Sequence, residues 1–226
     1  MLGNSFGHVF RVYGAGESYG GAMLTIVDGV PAGIPLCDAD VQAELDRRRP
    51  GTSPIDSPRQ ETDRVTIVSG LLEGFTTGAP LGMVVNNVDR EAIHVEQYRS
   101  KKDLMRPGHA EHTFRVKYGK YADWCGAGRA SGRETVSRVA AGAVAKKILL
   151  GENIEVLGYV KTCAGITSRA VSFEEIRENR EKNLIRCPDL EAGEKMIKKI
   201  LDVKEAGDTV GGIIECIVRG VPPGLG

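Results

Sequence analysis

Gly126-Ala127-Gly128-Arg129-Ala130-Ser131-Gly132-Arg133-Glu134-Thr135 carries a glycine-rich turn with two arginines straight into a helix. Ser131 and Glu134 stand in the S-x-x-E pattern of a capping box, which predicts a helix starting at Ser131. Val136, Val139, Ala140, Ala143, Val144 and Ile148 then recur at helical spacing and give it one apolar face, with Gly151 as its stop. Such a start points backbone N–H groups and the positive dipole end into the turn, beside Arg129 and Arg133. That arrangement suits an anion such as phosphate. The plain alternative is an ordinary capped helix with two solvated arginines. The other arginine and glycine motifs decide between them.

The chain has 226 residues, 41% hydrophobic and 27% charged, the composition of a globular protein with room for one large domain or two small ones. Basic and acidic residues balance at 30 each, so nothing global points to nucleic acid. Arginine is nonetheless concentrated locally. Arg47, Arg48 and Arg49 are consecutive, Arg59 and Arg64 follow, and Arg129, Arg133 and Arg138 come later. Arginine set near glycine turns fits a small polyanion. No apolar run spans a membrane, and the first residues lack the pattern of a signal peptide. Cys37, Cys125, Cys163, Cys187 and Cys216 are odd in number and contain no C-x-x-C pair, which argues against a metal centre or disulfide framework. A reducing compartment, the cytoplasm, is the expectation.

The 29 glycines punctuate strand ends, as in Asp28-Gly29, Ser69-Gly70, Glu73-Gly74 and Thr77-Gly78. Strands are expected at His8 to Val12, Ala22 to Val27, Val65 to Val68, Leu71 to Phe75 and Leu81 to Val85, the last three as a meander. Asp38 is the expected N-cap of a helix through Val41, Leu45 and Arg48. Residues 52–62 and 86–107 read as long polar loops. Strands at Ile154 to Thr162 and Ile213 to Val218 flank two helices, one opened by the Ser172–Glu175 capping box and one by Asp189 and closed by Gly207. The fold class is α+β, largely antiparallel strands layered with helices, in a single domain over 1–226. Gly220 to Gly226 is a loop directly after a strand, so the domain is expected to be incomplete at its C-terminus.

Taken in order, these motifs resemble those of chorismate synthase. The resemblance rests on Phe10-Arg11-Val12, Gly16-Glu17-Ser18-Tyr19-Gly20 and Asp28-Gly29-Val30-Pro31-Ala32-Gly33. It continues through Leu45-Asp46-Arg47-Arg48-Arg49-Pro50-Gly51, then Arg106-Pro107-Gly108-His109-Ala110 with Lys117-Tyr118-Gly119, and the turn from Gly126 onward. Each motif alone is weak; the ordered set is specific.

The resemblance implies a lyase that eliminates phosphate from 5-enolpyruvylshikimate 3-phosphate to give chorismate, with reduced FMN. NADPH enters only as a possible reductant, and a homotetramer is implied for the full-length family member. By resemblance, Arg48 is a substrate or nucleotide anion contact, and Arg129, Ala130 and Ser131 match a flavin-contacting Arg-Ser-Ser. Arg133 is the second arginine beside that anion. His109 matches a histidine acting on the reduced flavin, a role imidazole chemistry suits. Each has a plain structural alternative: a helix-terminal arginine for Arg48, a helix cap for the Arg129 to Ser131 turn, a turn residue for His109.

The chain departs from the family at several points. Tyr19 stands where the family has a histidine thought to protonate the departing phosphate, and a phenol with an ordinary pKa of about 10 is a poorer acid. Pro54 replaces an arginine, with Arg59 as a conceivable substitute. Ala130 replaces a serine. Family members also continue past Gly226. A catalytically impaired relative that binds flavin or a phosphorylated ligand therefore stands beside the enzyme reading.

Overall fold

The computed structural model describes residues 3–56, 61–88 and 92–225, in two compact units. One comprises Met1–Arg49 with Arg59–Lys147, the other Pro50–Pro58 with Ile148–Gly226. The architecture is α+β with antiparallel sheets, as the sequence implies.

In the first unit, β1 (Ser5–Phe6), β2 (Arg11–Ala15), β3 (Ala22–Asp28), β4 (Val65–Ser69) and β7 (Leu81–Asn86) form an antiparallel sheet in the order β1-β2-β3-β7-β4. Its register follows from burial. Val12 lies opposite Val27, Val27 opposite Leu81, Met23 opposite Val85, and Val85 opposite Val65. All are buried, so one face carries the core. A slip of one residue would expose the whole set. Helices α1 (Asp38–Arg48) and α4 (Thr135–Gly151) accompany this sheet. Helix α1 contacts β4. Helix α4 meets the sheet where Ser137 Oγ donates to Leu24 O at 3.1 Å.

Several expectations need correction. The first long strand is Arg11–Ala15 rather than His8 to Val12. Gly29 packs closely on Val9, where an added Cβ would clash with the Val9 carbonyl oxygen. The expected strand Leu71 to Phe75 is a hairpin of β5 (Leu71–Leu72) and β6 (Phe75–Thr76). Glu73 and Gly74 turn it at φ 51° and 83°. The hairpin stands outside the five-stranded sheet, so β4 pairs with β7 across it rather than running as a simple meander. The expected loop 86–107 contains α2 (Ala92–Ser100), and α3 (Glu111–Tyr118) follows it. The N-cap of α1 is Cys37, with the Asp40 carboxylate returning to the Cys37 N–H at 2.9 Å. Asp38 instead accepts the Ile67 N–H at 3.0 Å. Ser131 caps a 3-10 turn over Gly132–Glu134, and α4 starts at Thr135.

In the second unit, β8 (Glu155–Cys163) pairs with β9 (Ile166–Thr167) and β10 (Gly212–Arg219). Helices α5 (Phe173–Asn179) and α6 (Leu190–Glu205) start as predicted. Ser172 and Glu175 form the capping box of α5, and Asp189 accepts the Ala192 N–H at 3.2 Å to cap α6. One core cluster gathers Cys163, Ile185, Cys187, Ala192 and Met196; another gathers Leu157, Tyr159 and Ile176. Pro54 belongs to this unit, where its carbonyl accepts a 2.7 Å bond from Lys204 Nζ. Arg59 lies outside the described residues.

Candidate functional site

The turn after β2 and the turn before α4 interlock. Gly126 and Ala127 are left-handed at φ 60° and 64°, and Gly128 follows at φ 53° with ψ −116°. This backbone delivers the Gly128 carbonyl to the Ser18 N–H at 3.3 Å. The Ser131 hydroxyl donates to Ser18 Oγ at 3.2 Å. A Cβ on Gly126 would stand 2.7 Å from the Tyr19 ring, so only glycine lets that ring lie on the turn. Tyr19 also meets Tyr98 of α2 edge-on, with centroids 5.3 Å apart.

Arg129 serves this junction. Its Nη1 donates to Gly16 O at 2.9 Å and its Nη2 to Gly14 O at 3.2 Å. Nε and Nη2 also reach Asn4 Oδ1. A planar fork with several donors suits such a strand-end clamp. Expected at an anion, Arg129 spends most of its N–H groups on carbonyls. The Glu134 carboxylate lies 3.7 Å away and bonds Arg138 Nε at 2.8 Å, so it does not return to the Ser131 N–H.

Beneath the junction lies a buried charge network. Asp63 is fully buried and accepts from Arg48 Nη1 at 2.9 Å and from Arg133 Nη1. Glu61, equally buried, stands 3.6 Å from Arg133 Nη2. Guanidinium groups stay charged at any folding pH, so their burial requires carboxylates. Two of each sign make the group neutral by itself. Arg133, expected beside Arg129 at an anion, is thus committed to the interior, with its Nη2 lacking a hydrogen-bond partner among the described residues. Arg48 is more open, its side chain 18% exposed. It also bonds Thr135 Oγ1 at 3.2 Å and Gly132 O at 3.0 Å, which leaves two of its five N–H donors unused among the described residues.

Asn87 joins this network to the first turn. Its Oδ1 accepts from Arg133 Nε at 2.8 Å, and its Nδ2 donates to Glu17 O at 3.0 Å and Gly20 O at 2.8 Å. Sequence reasoning missed Asp63, Glu61 and Asn87, because their partners lie tens of residues away and no local pattern marks them.

His109 occupies a separate turn at the start of α3. Its Nδ1 accepts the Glu111 N–H at 3.2 Å, which assigns the ring proton of the neutral form to Nε2. Glu111 is buried and accepts from Arg106 N at 3.1 Å and Nε at 3.0 Å. The Arg106 guanidinium holds the Glu111 carboxyl below the usual carboxylate range, and that carboxylate stands 3.9 Å from His109 Nδ1. Helices α2 and α3 both contact the Cys125–Ala130 turn.

A sequence profile of chorismate synthases matches residues 10–226. This chain belongs to the chorismate synthase family. Among relatives, the chorismate synthase of Acetivibrio thermocellus is 49% identical and that of Methanosarcina acetivorans 50% identical, each matching 100% of this chain and 61% of its own length. A crystal structure of chorismate synthase superimposes with a TM-score of 0.78 at 30% identity, covering 97% of this chain and 61% of the other. The chain therefore spans about three-fifths of the length of these chorismate synthases. Among the described residues, no cluster of His, Cys, Asp and Glu suits a metal ion, and no helix is long and apolar enough to cross a membrane.

Proposed function

We propose that the protein carrying this chain is a lyase converting 5-enolpyruvylshikimate 3-phosphate to chorismate by 1,4-anti elimination of phosphate, with reduced FMN. The observation that carries this reading is the family match over residues 10–226. The interlocked motifs are consistent with it. A small phosphorylated substrate is the partner, with neither nucleic acid nor membrane involved. The full-length protein is a cytoplasmic homotetramer, and NADPH serves only as a source of reducing equivalents.

The residues present fit a phosphorylated flavin. Gly132 has open space where a side chain would stand, Ser131 is half-buried, and Arg133 Nη2 is without a hydrogen bond among the described residues. Arg129, Ala130 and Ser131 would hold the cofactor, which when bound lends electron density to the substrate and recovers it. Arg48 pairs with a substrate or nucleotide anion through its unused N–H groups, and Arg133 stands behind it on the shared Asp63. His109 presents a proton at Nε2 to the flavin side of the reaction. Tyr19 holds the phosphate by its hydroxyl.

The test is anaerobic incubation with reduced FMN and 5-enolpyruvylshikimate 3-phosphate, measuring phosphate and chorismate. Turnover supports the reading. If flavin binds without turnover, a second reading takes its place: a relative that recognises flavin but has lost the elimination. Tyr19 favours that second reading, since its ring is packed against Tyr98 and Gly126 and a phenol is a weak acid. Tyr19→His is therefore expected to raise turnover by about 100-fold, the lower end of what a positioned general acid contributes.

A further inference from the structure

Asn87 directly follows β7, in a stretch whose sequence carries little pattern. It is 5% exposed, and its side chain meets three groups from two motifs. Its backbone N–H also donates to Gly21 O at 3.1 Å. Together these bonds reach three carbonyls of the Glu17–Gly21 turn from one residue. The amide oxygen takes the Arg133 Nε–H, and Arg133 is fixed in turn by the wholly buried Asp63. The turn that carries Ser18 and Tyr19 is thereby referenced to an interior ion pair rather than to solvent.

We propose that Asn87 is a positioning residue: its side-chain amide ties the Glu17–Gly20 turn to Arg133 and so sets Ser18 and Tyr19 against the Gly126–Ser131 turn. The part of this proposal that concerns the flavin rests on the function proposed above. The amide is the right group because it has one acceptor and two donors on one planar end. Aspartate offers no donor in its charged form, and leucine offers neither donor nor acceptor.

That difference provides the test. Asn87→Asp keeps an oxygen for Arg133 Nε but loses both donors to the turn. Asn87→Leu loses both halves. Hydrogen exchange is read at the Ser18 and Gly20 amides, which bond Gly128 O and Glu17 O. Anaerobic titration with reduced FMN and thermal melting are run in parallel. Asn87→Asp also melts earlier, because its buried carboxylate faces the Glu17 and Gly20 carbonyls, so exchange is compared with that of amides in β8 of the same variant. Positioning predicts that both variants exchange about tenfold faster at the Ser18 and Gly20 amides relative to that reference and lose reduced-FMN affinity to a similar degree. Exchange at these amides that rises only in step with the reference overturns the proposal and leaves Asn87 a packing residue. If Asn87→Leu does not fold, Asn87→Asp decides alone by the same comparison. Failure of the wild-type chain to bind reduced FMN counts against the proposed function, and the exchange comparison still decides the tether.

Discussion

Asp63 shows how differently a buried and an exposed carboxylate behave in one chain. It takes two guanidinium groups with no solvent contact, whereas Glu96 meets Arg99 at 3.3 Å with both side chains mostly exposed. Removing one member of a buried pair strands the others, at a cost of about 3–5 kcal/mol. An exposed pair contributes about 0–1 kcal/mol. Asp63→Asn is therefore expected to lower the melting temperature by roughly 10 °C, since about 1 kcal/mol shifts a chain of this size by ~2–4 °C. Glu96→Gln should leave it within about 2 °C. Comparing the two melts checks the assignment, and equal effects would refute it. The sequence shows the arginines, because arginine beside glycine turns is a local pattern. It does not show which are buried: Arg133 finds Asp63 across 70 positions and Asn87 across 46. Sequence analysis thus places the motifs correctly, but leaves open which arginines face outward.

At the scale of elements, the caps of α5 and α6 were legible, that of α1 falls one residue before the expected Asp38, and turns were less legible. Ser172 and Asp189 cap α5 and α6 because every partner in those motifs lies within a few residues. Ser131 carries the same local signal, but Glu134 is drawn to Arg138, and the first turn tightens to 3-10. The preceding turn is set by three successive residues at positive φ, one of them alanine. Gly126→Ala would add a left-handed residue, costing about 1–2 kcal/mol, and press a methyl onto the Tyr19 ring 2.7 Å away. Destabilisation by about 2 kcal/mol or more is expected in urea unfolding. Ala127→Gly relieves a comparable strain of about 1–2 kcal/mol but removes a buried methyl worth roughly 0.8 kcal/mol and makes the unfolded chain more flexible. The terms nearly cancel, so that variant should unfold within about 1 kcal/mol of wild type. Similar losses in both would mean that the left-handed geometry is not what glycine serves at Gly126.

Across the whole molecule, burial of paired apolar residues sets the strand register, while charge placement governs how stability varies with pH. Glu111 and Asp189 are held below the usual carboxylate range, chiefly by Arg106 and by the Arg169 N–H respectively. Glu175 is pushed down to about 2, first by its bond from Arg169 and then by the Ser172 cap. A carboxyl whose folded pKa is depressed contributes stability above its unfolded pKa and loses it as pH falls through the folded one. Stability should therefore decline from about pH 4.5 towards pH 2 as these groups protonate. Tyr159 acts at the other end. Burial, followed by its bond to the Glu215 carboxylate, pushes it up to about 12. Its hydroxyl stays protonated in the folded chain where the unfolded chain has lost the proton, so stability falls between about pH 10 and pH 12. Urea midpoints measured from pH 2 to pH 12 should show a plateau bounded by these limbs. Glu175→Gln should shallow the acid limb without moving the alkaline one. Tyr159→Phe should flatten the alkaline limb and change the acid limb less, because it also removes a bond that helps hold the Glu215 carboxyl low. An alkaline limb altered by Glu175→Gln would mean that global charge, rather than these local pairs, sets the pH response.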